Sequence, residues 1–261
     1  MSRIKEAFAH GKAFIAFITA GDPSLDITEE LILKMEEAGA NLIEIGIPFS
    51  DPVAEGIVIQ QADERALAAG TTTDKIFQML ERIRDKVKVP IAFMTYVNPI
   101  YTYGVDKFLS KCKQFGVDAI IVPDVPFEEK GELKPFCDKY GVALISLIAP
   151  TSHERIKMIA KDAQGFVYCV SSMGVTGVRS EITTNIGEMV SLVKEDQNIP
   201  CAIGFGISTP AQARDMAQYA DGVIVGSAIV KLIEQYGKDC VNPVCEYVRT
   251  MKAAIVDLNI S

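Results

Sequence analysis

Residues 36–46 read EEAGANLIEIG, and the same phrase returns as KQFGVDAIIV at 113–122 and DKYGVALISL at 138–147. Each is the polar end of a helix, a glycine, and then a short apolar run. A glycine just past a helix supplies the left-handed conformation that ends it. Working outward, apolar runs rich in Ile, Val and Phe recur at 13–19, 42–47, 91–96, 119–122, 143–148, 165–170, 201–203 and 222–225. Such runs read as buried parallel strands. Amphipathic stretches follow at 25–38, 73–86, 105–115, 128–140, 153–161, 186–194, 210–219 and 241–256. Thr73-Asp74 and Ser208-Thr209-Pro210 provide helix entry signals. Eight strand–helix units in about 250 residues predict an α/β chain folded as one closed (β/α)8 TIM barrel. The single domain is expected over residues 1–261. The competing arrangement is an open doubly wound sheet. The barrel is preferred because the units continue to the end without a second composition zone, and no G-x-G-x-x-G follows the first strand.

Composition narrows the function classes. The 261 residues carry 26 Lys and Arg against 34 Asp and Glu, a net charge of −8. An acidic surface argues against nucleic acid and anionic membranes, which are bound through clustered cations. At 49% hydrophobic and 23% charged residues the chain is ordinary globular material rather than a disordered one. No linker or low-complexity tract marks a boundary. The six cysteines form no C-x-x-C pair and the histidines are only His10 and His153, so no metal site is expected. The charged N-terminus lacks a signal-like apolar segment, and no apolar run reaches the ~18–20 residues of a membrane span. Reduced thiols in a cytoplasmic protein are the expectation.

A barrel places chemistry on the loops at the C-terminal ends of its strands. In the second unit, side-chain alternation sets Ile43, Ile45 and Ile47 toward the helices, and Leu42, Glu44 and Gly46 toward the interior. A carboxyl in mid-strand on an inward face is costly unless solvated or used, and burial raises its pKa toward a value suited to general acid/base work. The alternative is a structural glutamate paired with a buried Lys or hydroxyl. The loop beyond adds Asp51 and Glu55, which composition alone would leave as solvated acids, and polarity typical of a short helix returns near residues 60–65.

Three glycine-bearing turns follow late strands: Gly174 to Gly177 after the sixth, Gly204-Phe205-Gly206 after the seventh, and Gly226-Ser227 after the eighth. Glycines let backbone amides approach an anion, and a helix starting at Gly226-Ser227 adds donors and dipole. Barrels commonly bind phosphate there. The pattern predicts a phosphorylated substrate held by amides.

The segments ITAGDP (18–23), IEIGIPFSDPVAEG (43–56), MTYVNP (94–99), PDVP (123–126), GVTG (174–177), GFGIS (204–208) and VGSAIVK (225–231) resemble the tryptophan synthase alpha chain family, in order and over the whole chain. The resemblance implies a barrel lyase that cleaves indole-3-glycerol phosphate to indole and glyceraldehyde 3-phosphate. It implies that Glu44 moves a proton at indole C3 and that Glu55 faces the indole N–H. Phe17, Met94, Ile121 and Phe205 would form the indole pocket, with Tyr168 beside the site. Asp22 would position the loop holding Glu55, and Thr176 would close over it. Gly177, Gly206, Gly226 and Ser227 would hold the phosphate. The implied partner is a pyridoxal-phosphate beta chain in an alpha2beta2 complex, with no cofactor in this chain. Contact is expected through residues 48–57 and 98–103, with Ile100, Tyr101 and Tyr103 exposed. The family loop usually reads A-D-G-P; here it is Ala54-Glu55-Gly56-Ile57. The extra methylene moves the carboxylate oxygens, and loss of the proline frees the backbone at Ile57.

Overall fold

The computed structural model describes residues 2–170, 182–204 and 206–256. Its strands are β1 (Ala13–Thr19), β2 (Leu42–Gly46), β3 (Ile91–Met94), β4 (Ala119–Ile121), β5 (Ala143–Leu144), β6 (Ser146–Ile148), β7 (Val167–Val170), β8 (Cys201–Gly204) and β9 (Gly222–Val225). They lie in the order β5-β4-β3-β2-β1-β9-β8-β7-β6, and every pairing is parallel. The two ends of that order are one apolar run divided at Ile145. β5 pairs with β4 and β6 pairs with β7, while the Ile145 N–H still donates to the Ile120 carbonyl at 3.0 Å. The fifth run thus passes its hydrogen bonds from one neighbour to the other and closes the ring. The nine segments are the eight strands of a (β/α)8 barrel.

Around the ring lie α1 (Arg3–Ala7), α2 (Leu25–Glu37), α3 (Ile57–Ala68), α4 (Thr73–Ile83), α5 (Val97–Tyr103), α6 (Val105–Gln114), α7 (Lys134–Tyr140), α8 (His153–Lys161), α9 (Ile182–Asp196), α10 (Pro210–Ala217), α11 (Ser227–Tyr236) and α12 (Val241–Val256). Side chains cap several entries: the Ser24 hydroxyl accepts from the Ile27 N–H, and Thr209 with Gln212 closes a capping box on α10, with Pro210 in its first turn. Gly39, Gly116 and Gly141 all have positive φ just beyond a helix.

Two expectations change. Residues 98–103 form α5 rather than an exposed loop, and Ile100 is buried; Tyr103 is half-buried and only Tyr101 stays exposed. Pro99 is compatible with this helix because it sits in the first turn, where a missing N–H costs no helical bond. Residues 128–140 are not one helix either. A 3-10 turn at Phe127–Glu132 is followed by α7. Pro135 lies near the start of α7, because a helix running through it would lose a bond and clash with the carbonyl four residues back.

Alternation along the strands separates two apolar layers. Outward residues such as Ile43, Ile45, Phe93 and Ile120 pack under the helices. Inward residues such as Ile15, Leu42, Ala92, Ile121 and Tyr168 fill the barrel. In the outer layer the Phe77 ring of α4 touches those of Phe93, Tyr103, Phe108 and Phe115, with centroids 5.6–6.0 Å apart. Phe77 is fully buried. Phe77→Ala should lower the unfolding free energy by about 3–5 kcal/mol in urea titration, since four rings cannot collapse into the space together. A loss below about 1 kcal/mol would show that the cluster is not tightly packed.

Candidate active site

β2 carries Glu44 opposite Phe17 of β1 and Ala92 of β3. The glutamate is wholly buried, and among the described residues neither carboxyl oxygen has a hydrogen-bond donor. Loss of water with nothing in return disfavours the charge, which pushes the Glu44 pKa up to about 8. At neutral pH the group is therefore mostly a protonated acid. Across the barrel Tyr168 of β7 is buried, and its pKa is raised by burial and by the Glu44 charge. Its hydroxyl occupies the space beside Gly204, where a Cβ would stand only 2.5 Å away. Gly46 makes room for Phe17 in the same way, with 2.7 Å between a built Cβ and the ring. These two glycines let aromatic rings reach the barrel axis. Phe17 also packs with Ile59, Ala62, Val230 and Met94. Phe17, Met94, Ile121 and Tyr168 thus gather with Glu44 inside the barrel.

The loop after β2 brings in the second acid. Glu55 is half-buried, and its Oε2 is buried without a donor among the described residues. Burial pushes the Glu55 pKa up to about 7. Its carboxyl meets that of Asp63, on the inner face of α3. Asp63 is 4% exposed, accepts the Phe49 N–H at 3.3 Å, and is pushed up to about 8 by burial and by Glu55. The loop is tied at two further points. The Ala54 N–H donates to the Tyr96 hydroxyl at 2.9 Å, and the Gln60 side chain donates to the Glu55 carbonyl at 2.8 Å. Ile57 is the first residue of α3, the position where a proline would be preorganised. It is 63% exposed, beside Val53 at 80%.

Asp22, after β1, is buried and receives two parallel bonds of 2.8 Å from the Arg65 guanidinium of α3. Arg65 also reaches Glu234 of α11 at 3.1 Å. Arg65 thus ties Asp22 to α3, the helix that follows the acid loop. Gly226 caps α11, whose first-turn amides at Ser227 and Ala228 are of the kind a helix leaves without internal partners. Gly206 is exposed with φ +77° and open space on its Cβ side. Thr176, Gly177 and Phe205 lie outside the described residues. Among the described residues no cluster of His, Cys, Asp or Glu could hold a metal, the six cysteines are free and buried, and no helix is long and apolar enough to cross a membrane.

Asp63, Tyr96 and Arg65 escaped the sequence reading. The one available signal was an aspartate on the buried face of a helix, four residues from Ile59 and on the same side as Ala62 and Ala66.

A closed parallel barrel with acids and glycine-bearing turns gathered at the C-terminal strand ends has the layout of a barrel enzyme. A family model described as tryptophan synthase alpha chain matches residues 4–256. The chain is 47% identical over 256 residues to the tryptophan synthase alpha chain of Lactiplantibacillus plantarum, covering 98% of this chain and 97% of that one. It is 47% identical over 248 residues to that of Caldanaerobacter subterraneus subsp. tengcongensis, at 95% and 92% coverage. The solved alpha subunit from Legionella pneumophila superposes with a TM-score of 0.88 at 34% identity, covering 98% of this chain and 99% of that one. A chain of the tryptophan synthase a2b2 complex from Pyrococcus furiosus gives 0.85 at 36% identity, with 94% and 99% covered. The chain belongs to the tryptophan synthase alpha chain family.

The unpartnered carboxyl of Glu44 has a measurable cost. Its folded pKa lies above the unfolded value of 4.5, so the folded state binds the extra proton and stability falls as pH rises from about 4.5 to about 8. Glu44→Gln removes the burden. The variant should match the parent near pH 4.5 and exceed it by on the order of 3–5 kcal/mol above pH 8. A stability difference that stays flat across this window would mean that Glu44 is not held protonated.

Proposed function

We propose that this chain cleaves indole-3-glycerol phosphate to indole and glyceraldehyde 3-phosphate. The observation that carries the reading is Glu44, a carboxyl kept protonated inside an otherwise apolar barrel, next to a loop that supplies a second acid. Breaking the bond between indole C3 and the glycerol carbon needs a proton at C3, since the aromatic ring is a poor leaving group. Glu44 gives its proton to C3 while Glu55 accepts the ring N–H proton, which yields the indolenine tautomer. The Glu44 carboxylate then takes the proton of the adjacent hydroxyl. That carbon becomes the aldehyde, the C–C electron pair returns to the ring, and Glu55 gives the proton back to nitrogen. Two acids of different environment acting on two sides of one substrate suit this cycle.

Phe17, Met94, Ile121, Tyr168 and Phe205 form the indole pocket in this reading. Gly177, Gly206, Gly226 and Ser227 hold the phosphate, and Thr176 closes over the site to exclude water. Asp22 positions the loop of Glu55 through Arg65. The reaction runs in a single barrel domain in the cytoplasm and needs no cofactor in this chain. Indole is small, apolar and uncharged, so a neighbouring beta chain carrying pyridoxal phosphate captures it for tryptophan synthesis within an alpha2beta2 complex. Val53, Ile57 and Tyr101 are exposed on the active-site face and supply apolar contact area for that partner.

Indole release from indole-3-glycerol phosphate, measured with and without a tryptophan synthase beta chain, tests the reading. Turnover should rise when the beta chain is added, because contact fixes the Glu55 loop. Glu44→Gln should lower kcat by ~10²–10⁴ while affinity for a phosphorylated ligand stays. Unchanged turnover in Glu44→Gln removes the assignment. The rate should also depend on pH with a definite sign. Glu44 must begin protonated, so kcat/KM should fall as pH rises through about 8. A profile that climbs through that range would place the required acid elsewhere.

A further inference from the structure

Asp63 has no role in the chemistry described so far, yet it is one of the few charged side chains buried in the molecule. It lies eight residues beyond Glu55, on α3, and the two carboxyls are in contact. Two carboxylates cannot both stay ionised at such a distance in a site largely closed to water. Nor does a nearby cation settle the repulsion, since Arg65, two residues on, is turned to Asp22 and Glu234. The groups that act on Asp63 are the Phe49 N–H, the Thr19 hydroxyl at the end of β1, and Glu55 itself; the Tyr96 hydroxyl lies near both acids. The Phe49 N–H donates to Asp63 Oδ2. Glu55 Oε2, by contrast, is buried with no N–H or O–H donor among the described residues. A proton between the carboxyls satisfies that oxygen and removes the repulsion in one step.

We propose that Asp63 and Glu55 share a single proton, with Asp63 as a positioning residue that donates to Glu55 and holds it, charged, toward the substrate's ring N–H. The inference deepens the proposed lyase reading and rests on it for the identity of the substrate group. The pair then behaves as one acid with two macroscopic steps. The singly protonated form is the working one. With a second proton, Glu55 is a neutral acid and too weak a base to take the proton from nitrogen. With none, repulsion drives the loop acid away from α3. The pair also explains how a glutamate serves in a loop where the family usually has aspartate. The longer side chain reaches back to α3, and Asp63 fixes its extra torsion by a short hydrogen bond.

Burial raises both pKa values, to about 7 for Glu55 and about 8 for Asp63, so one proton remains on the pair near neutrality. This can be read without turnover. Infrared spectra of the full chain at pH 7.5, in a Glu44→Gln background that removes the other protonated carboxyl, should show one carboxylic-acid C=O band. That band should vanish in Asp63→Asn, which removes the acid that carries the proton, and should shrink in Glu55→Gln, because the Glu55 charge adds to the burial that keeps Asp63 protonated. A band absent from the start, or one that Asp63→Asn leaves unchanged, overturns the shared proton. In the chain with Glu44 intact, Asp63→Ala should lower kcat by ~10² with little change in KM, as expected when a group is misplaced near the reacting atoms. Asp63→Asn, which keeps a donor, should recover much of that loss, whereas Asp63→Ala, which removes the donor, should move the acid limb of kcat to higher pH. An acid limb that stays in place would also contradict the proposal. Failure of the unaltered chain to release indole would count against the reaction, while the infrared arm would still decide the pair.

Discussion

A carboxyl group with no donor within reach must either find water or keep its proton. Glu44 is sealed among parallel strands whose inner faces carry Leu42, Ala92, Ile121 and Tyr168. It therefore keeps its proton. The closed barrel makes this possible, because a ring of strands leaves no edge through which solvent could reach mid-strand. The site, its acidity and its apolar lining all follow from that closure. The split of the fifth run at Ile145 is the local device that completes it.

Around this acid the rest of the site is arranged by contacts between successive barrel units. Phe17 reaches the axis because Gly46 leaves room on the next strand, and Tyr168 does so because of Gly204. The loop that carries Glu55 is held from α3 by Asp63 and Gln60 and from the end of β3 by Tyr96. Arg65 of α3 binds Asp22 after β1 and Glu234 on α11, so α3, the first loop and the helix begun at Gly226 are joined through one guanidinium. Removing Arg65 would leave the buried Asp22 charge without its counter-ion, which is why this ion pair differs from the exposed ones on the outer helices.

Much of the fold could be read in the sequence, since it rests on local signals. The helix–glycine–strand phrase repeats, and the period-two alternation through Leu42, Glu44 and Gly46 puts one carboxyl indoors. The misreadings have local causes too. Residues 98–103, expected as an exposed loop, form α5, with Pro99 in its first turn and Ile100 buried. The apolar run at 143–148 gave no sign of its division at Ile145, because that depends on which neighbours each half meets. The acid site was only half legible. Glu44 announces itself by its face on the strand, and Glu55 by family likeness. Asp63 and Tyr96 meet the loop across 8 and 42 positions, respectively, and no periodicity encodes such meetings. Resemblance had also drawn attention to the aspartate replaced at position 55 rather than to the aspartate waiting on α3.

The central claim is that Glu44 enters the reaction as an acid. The most direct measurement is a carbon NMR titration of its side-chain carboxyl in the unliganded chain, assigned by comparison with Glu44→Gln. The account predicts a midpoint near 8, well above an ordinary glutamate. A midpoint near 4.5, with the carboxylate already ionised at neutral pH, would contradict it.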